Sequence, residues 1–166
     1  MKIKFLALLV MTLLPFTKTQ AQQTEKAAIN TTLDLWHQAA AEADFNAYFG
    51  LMTNDAVFIG TDATENWQLD EFKAFAKPYF DRGKAWSFSA VERNIYITQT
   101  ENLAWFDELL NTQMKICRGS GILKKVNGEW KIAHYVLSIA IPNENVSKVV
   151  EDKTAFDDAL LKKLKN

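Results

Sequence analysis

Four side chains in the second half of the chain combine charge with a place where they could do chemistry. Asp107 and Glu108 end the run WFDE, Trp105–Glu108, and Arg118 and His134 follow. WFDE lies in a segment with strand character. On a strand, Trp105 and Asp107 share one face, and Phe106 and Glu108 share the other. The two acids are therefore not a vicinal pair aimed at one substrate, which weakens any paired-carboxylate mechanism. An imidazole titrates near neutrality, so His134 has the chemistry of a general acid or base.

A turn decides where His134 points. Asn127-Gly128 between two apolar runs is a two-residue type I′ hairpin signal. With these as the loop, Val126 faces Glu129 and Leu123 faces Ile132. Counting on, Gly121 falls opposite His134, Gly119 opposite Val136 and Cys117 opposite Ser138. Leu123, Ile132 and Val136 mark this as the concave, helix-facing side. His134 is thus expected to look inward, with a glycine leaving space across from it. A core histidine with one satisfied hydrogen bond is the plainer alternative. The NTQ link before the next strand leaves two registers open. In one, Arg118 faces Asp107. In the other, which is preferred, it faces Glu108, and Asp107 enters the concave side near Trp105 and Gly119. Either way, one acid gains an arginine and the other turns to the opposite face. An ion pair or a wet face accounts for the paired acid without any function.

Asp62 and Glu65, in the polar stretch TDATENWQ (Thr61–Gln68), are placed to line a mouth or simply to meet water. Trp67, Tyr79, Trp86 and Trp105 are candidates for apolar walls around a flat hydrophobic ligand, with core packing as the alternative. The chain has two histidines, His37 and His134, and no HExxH, C-x-x-C, phosphate loop or G-x-S-x-G elbow. No metal and no cofactor are expected.

These residues need elements to hold them. Ile29, Leu33, Trp36 and Ala40 recur at helical spacing and predict a helix over 24–42, with Thr24 able to cap it. Asp44 can cap a shorter helix over 44–53. AVFIG, Ala56–Gly60, is a short strand. A third helix follows over 69–81, with Asp70 and Glu71 in its first turn, Pro78 near its end and Gly83 as its stop. From Trp86 onward the period changes to two. Strands are expected over 86–97, 103–110, 114–125 and 130–141, with Pro142 ending the sheet. This order implies an α+β fold: a cone-shaped roll in which a strongly bent, mostly antiparallel sheet wraps against about three N-terminal helices. The wide end of such a cone is a natural pocket. The outer sheet face, expected to carry Arg118, Ser120 and Ile122 with Ala133, Tyr135, Leu137 and Ile139, is apolar enough to want a second subunit, so a homodimer through it is expected.

The bulk numbers narrow the class. Lys2 and Lys4 precede a 12-residue, mostly apolar run, Phe5–Phe16, too short for a stable membrane span, and TQA then ends at Ala21, a small residue suited to a cleavage point. That is a secretory signal pattern, so residues 1–21 are read as a signal peptide. The protein is expected to be exported, periplasmic or secreted, after cleavage near Ala21. Residues 22–146 are then one domain, and 147–166 an amphipathic tail carrying Phe156, Leu160 and Leu164. Loss of Lys2, Lys4 and Lys18 takes the net charge from -1 to -4, which attracts neither nucleic acid nor an anionic membrane. Cys117 is the single cysteine, so no intrachain disulfide forms; it reads as a small buried hydrophobe.

The segments WHQAAAEADFNAYFGLM (36–52), DAVFIGTDATENW (55–67), FKAFAKPYFDRGKAWSF (72–88), AWFDELL (104–110) and CRGSGILKKVNGEWKIAHYVLSIAIPN (117–143) resemble the NTF2-like superfamily, in its SnoaL-like group. The similarity covers about residues 25–143. It implies the cone fold. It looks like a bacterial subgroup whose activity the resemblance leaves undefined. The wider superfamily holds polyketide cyclases, a ketosteroid isomerase, dehydratases and plain binding or assembly modules. In its enzymes, acids, tyrosines or histidines line the cone, and His134 and Asp107 fall in comparable territory. The isomerase pattern also needs a tyrosine and an acid as an oxyanion pair, and Tyr48 or Tyr79 supplies the hydroxyl only if its helix turns it inward.

Three functions follow as expectations. The first is an exported domain binding a small hydrophobic molecule, with Asp62, Trp67, Tyr79, Trp86, Trp105, Glu108 and Arg118 around it. The second is an isomerase- or cyclase-type enzyme with Asp107 or His134 as general base. The third is a dimeric interaction module without a small ligand.

Overall fold

The computed structural model describes residues 3–98, 100 and 102–165, with side chains from residue 20 onward. Most side chains of the expected leader therefore lie outside the described residues. Helix α1 runs from Ile3 to Ala41. It is continuous through Thr24, whose hydroxyl donates to the Gln20 carbonyl rather than capping a helix start. Its Ile29, Leu33, Trp36 and Ala40 are buried, as their spacing requires. Helix α2, Phe45–Gly50, begins at Asp44, which accepts from the Ala47 N–H at 2.9 Å. Helix α3, Leu69–Asp81, is opened by a capping box in which the Gln68 N–H donates to Glu71 at 2.9 Å. Gly83 follows it at φ 68°.

Six strands form one open mixed sheet. They are β1 (Met52–Ile59), β2 (Asn66–Gln68), β3 (Phe88–Ile97), β4 (Leu103–Thr112), β5 (Lys115–Val126) and β6 (Glu129–Ile139). The order is β2-β1-β6-β5-β4-β3, with β1 and β6 parallel and the other neighbours antiparallel. β2 is a short strand inside the stretch expected to be a polar link. Helices α1, α2 and α3 fill the concave side, and the core is one aromatic-rich cluster between them and the sheet. The fold is the expected α+β cone. Helix α4, Val146–Leu164, follows a 3-10 turn at Asn143–Asn145 and touches little besides that turn.

The Asn127-Gly128 hairpin forms as expected, with φ 52° and 87°. Val126 pairs Glu129 and Leu123 pairs Ile132. The expected register fails beyond that point. A bulge at Ala133 makes Ile122 face His134, Gly121 face Tyr135 and Gly119 face Leu137. A one-residue insertion exchanges the two faces for the rest of the strand. Tyr135 and Leu137 therefore point into the core, while His134 and Val136 point out. Ala133, Tyr135 and Leu137, expected on the outer face, are buried.

Candidate functional site

The concave face of β4 carries Ala104, Phe106, Glu108 and Leu110, all buried. Glu108 has no solvent exposure, and a bare carboxylate there would be costly. Three neighbours satisfy it. His37 on α1 lies 2.9 Å from Oε1, Tyr135 on β6 donates to the same oxygen at 3.1 Å, and Arg93 Nε on β3 donates to Oε2 at 2.8 Å. Arg93 Nη1 continues to α1, donating to Asp34 at 2.8 Å and to the Asn30 side chain at 3.1 Å. Burial pushes the Glu108 carboxyl up, but the hydrogen bonds and charges of His37 and Arg93 together outweigh it and hold the group below its ordinary value. Burial, then the nearby Glu108 charge, push the Tyr135 hydroxyl well above its ordinary range. The cluster ties α1 to β3, β4 and β6.

Gly119 makes room for this cluster. A Cβ there would sit 2.2 Å from the Tyr135 hydroxyl oxygen and 3.1 Å from Glu108 Cγ. The glycine expected to leave space is Gly121, where a Cβ would sit 2.2 Å from the His134 carbonyl oxygen; at Gly119 the space above the sheet is filled by the Tyr135 ring.

A second region on the same side is apolar and open. A cavity of about 150 Å³ lies between β1, α3 and the segment leading into β3. Phe58, Trp67, Phe72, Phe75 and Trp86 form its aromatic wall, and Phe88, Met114 and Leu137 add apolar surface. Trp67 stacks on Phe75 at 4.3 Å, and Phe58 on Phe72 at 4.0 Å. Thr61, Glu65 and Gln113 bring polar groups. Glu65 is held back across its loop, where it accepts from the Asp62 N–H at 3.1 Å, and a Cβ on Gly60 would collide with it. Phe88 also packs edge-on against His37, with ring centroids 5.9 Å apart, so it stands between the cavity and the Glu108 cluster.

The structure separates the residues picked from sequence. Trp67 and Trp86 line the cavity. Asp62 sits on the same loop but spends its carboxylate on Thr64, and those two hydrogen bonds hold its pKa low. Tyr79 lies on α3 outside the lining and stacks toward Phe75 and Arg82. Glu108 is buried in the polar cluster and does not line the cavity. Three further residues are on the convex face. Trp105 stacks on Tyr96 there at 5.6 Å. Arg118 faces Leu109 rather than either acid, and its side chain reaches diagonally to Asp107 at 3.8 Å. Asp107 also accepts from Asn94 at 3.2 Å. The expected inward turn of Asp107 is therefore corrected: Glu108 takes the concave side and is paired by Arg93, which sequence reasoning did not consider. His134 is corrected with it. It shares the convex face with its register partners Ile122 and Val57.

The signal for the bulge was present. In WKIAHYVL the large apolar residues fall at even positions through Ile132 and at odd positions from Tyr135 onward. No such signal marks His37 and Arg93, which meet Glu108 only through tertiary packing. Among the described residues, no group of histidines, cysteines and acids is arranged to hold a metal ion. No described helix is long and apolar enough to cross a membrane.

The profile of a family described as "SnoaL-like domain" matches residues 29–142. No curated protein matches the sequence. Among solved structures, the chain is similar to an NTF2-like protein of unknown function from Pseudomonas putida, with a TM-score of 0.62, 14% identity, and coverage of 74% of this chain and 92% of that one. It is also similar to a protein provisionally named a scytalone dehydratase from Novosphingobium aromaticivorans (TM-score 0.63, 15% identity, 74% and 89% covered). A third is a provisionally named dehydratase of the NTF2-like family from Streptomyces avermitilis (TM-score 0.63, 10% identity, 73% and 99% covered).

Proposed function

Because the chain belongs to the SnoaL-like domain family, we propose that it binds a small, flat, largely apolar molecule in the aromatic cavity beside α3. Membership supplies the scaffold and leaves the chemistry to the site. The supporting observation is the wall itself: six aromatic side chains around about 150 Å³ of space, with polar side chains only from Thr61, Glu65 and Gln113. Apolar cavities of about this size hold a single benzene-like ring. Drug-sized ligands need about 300–1,000 Å³. A one-ring molecule fits, with a polar substituent turned toward Glu65 or Gln113.

The isomerase or cyclase reading has less support. A general base must come within a hydrogen bond of the proton it takes. Asp107 and His134 face the convex side, across the sheet from the cavity. Glu108 faces inward, but Arg93, His37 and Tyr135 already engage it. The ligand-free interaction module is separated from the binding reading by experiment. Titration calorimetry with phenol, toluene and cyclohexanone is expected to give saturable binding of at least one probe, weakened by Phe75→Ala. Absence of binding by all three, with the protein folded, would leave the interaction module as the better account.

Export with cleavage near Ala21 is part of the same proposal. The packing of α1 supports it: Glu25 joins Lys125 and Trp130, and Ile29 is the first buried residue among the described side chains, so cleavage after Ala21 removes none of these contacts. N-terminal sequencing of protein recovered from the producing cell is expected to begin at Gln22. We also propose that the convex face packs on a second copy. Trp105, Tyr96, Ile116 and Ile122 are exposed on it.

A further inference from the structure

We propose that α4 is a docking arm that lies across the convex sheet face of a second copy of the chain. This rests on the outer-face reading above and names what covers that face. Helix α4 begins after the family-matched segment, which ends at 142. It leaves the body of its own chain, so its apolar residues meet water: Phe156 is 79% exposed and Leu164 72%. At 100° per residue, Val146, Val149, Val150, Phe156, Leu160 and Leu164 fall within one arc. A helix of 19 residues that packs on little of its own chain, even with the Lys148–Asp152 and Lys153–Asp157 pairs along it, is marginal in water. An apolar stripe on such a helix needs a surface.

The convex sheet face matches it in length and in charge. Nineteen helical residues span about 28 Å. Crossing six strands takes five spacings, about 24 Å. Each surface has an ion pair set among apolar residues, and the sheet carries a second, Lys124–Asp55, toward the hairpin end of the face. On the helix, Lys153 and Asp157 lie within the apolar arc and pair with each other. On the sheet, Asp107 and Arg118 pair at 3.8 Å between Trp105, Ile116 and Ile122. Laid head to tail, the two pairs set Arg118 against Asp157 and Lys153 against Asp107. Apolar residues on both sides then exclude water from a four-charge cluster, which fixes the helix in one orientation. Two such contacts per pair of chains are related by a two-fold axis, so the assembly closes as a dimer.

The test uses the full chain, with mass in solution from sedimentation equilibrium at micromolar concentration and folding checked by circular dichroism. The wild-type chain is expected to be a dimer and Phe156→Asp a folded monomer, since that side chain packs on nothing within its own chain. Arg118→Glu and Asp157→Lys are each expected to weaken the dimer about tenfold, and the two together to restore it. A double variant no tighter than either single one would overturn the pairing. A dimer that survives Phe156→Asp but dissociates with Ile122→Asp would overturn the docking arm while leaving the outer face as the interface. A wild-type monomer, or a dimer indifferent to both changes, would overturn both.

Discussion

The Glu108 cluster and the aromatic cavity lie on the same side of one sheet and are built by opposite rules. Around Glu108, groups that could do acid–base chemistry are packed without room for a substrate, and each oxygen of the carboxylate has a partner. Around Trp67 and Trp86 there is room, but the wall offers almost nothing that titrates. The strong polar groups go into fastening α1 to three strands, and the open volume is lined by rings. The carboxylate that could act as a base has no solvent exposure, and the cluster meets open space at its outer end, through Arg93 and Asn30, away from the aromatic cavity. This is the physical reason that binding is a better reading than turnover.

The two regions differ most at Glu108. Glu108→Ala leaves Arg93 facing an empty site with its Nε partner gone, and removing one member of a buried pair costs about 3–5 kcal/mol. Urea unfolding is expected to show a loss of that size. A stable variant that instead loses a measured activity would make the cluster a working site. The same carboxyl predicts acid behaviour. Its pKa is held below the ordinary 4.5, so the unfolded chain takes up its proton first as pH falls. The stability it contributes is complete above pH 4.5 and is lost as pH drops through the folded-state value. The unfolding midpoint should therefore fall with pH below that point, and Glu108→Gln should show a flatter profile in the same window.

Gly119→Ala acts on the cluster from the neighbouring strand. The new methyl would sit 2.2 Å from the Tyr135 hydroxyl oxygen, and the ring has little freedom because Trp36 packs on it at 4.8 Å. Overpacking of this kind costs about 1–3 kcal/mol. A neutral outcome in urea unfolding would mean that Tyr135 can leave Glu108 without consequence, and the cluster would be looser than its geometry indicates.

The fold was legible because each element carried a local signal. The helical stripe at Ile29, Leu33 and Trp36, the cap at Asp44 and the turn at Asn127-Gly128 each rest on residues close in sequence. The cone followed from the order of the elements and from the family resemblance. The site was legible only in part. Of the four aromatics that qualify as wall by type alone, Trp67 and Trp86 line the cavity and Tyr79 and Trp105 do not, because residue type carries no direction. His134 and Asp107 were assigned the wrong face because side-chain direction depends on every residue between the turn and the position counted. One extra residue at Ala133 inverts it. A matching error in the β4–β5 register exchanged Asp107 for Glu108. The partners of Glu108 come from α1, β3 and β6, 71, 15 and 27 residues away, and no local pattern announces such a meeting.

At the cavity the expected effects are smaller in stability and larger in affinity. Phe75 is 38% exposed and contributes its ring to the wall. Phe75→Ala should lower the affinity for a one-ring ligand about tenfold while costing about 1 kcal/mol or less in stability. A large stability loss with unchanged affinity would mean that the ring is packing rather than recognition, and the two regions would then differ less than they do here.

Two adjacent residues show the same contrast at the scale of one pleat. Asp107 and Glu108 differ in burial because the pleat of β4 sends one outward and the other inward. Asp107 meets a half-exposed Arg118 at 3.8 Å, a distance and setting in which an ion pair is worth about 0–1 kcal/mol. In the Phe156→Asp background, where the proposed docking arm is disabled, Asp107→Asn should shift unfolding by no more than about 0.5 kcal/mol. Isosteric replacement at the neighbouring position, Glu108→Gln, removes a charge that Arg93 and His37 both use, so it should cost several times more. Similar costs at the two positions would mean that the convex face is not open to solvent in the separated chain, and the pleat alone would no longer explain why one acid is structural and its neighbour dispensable.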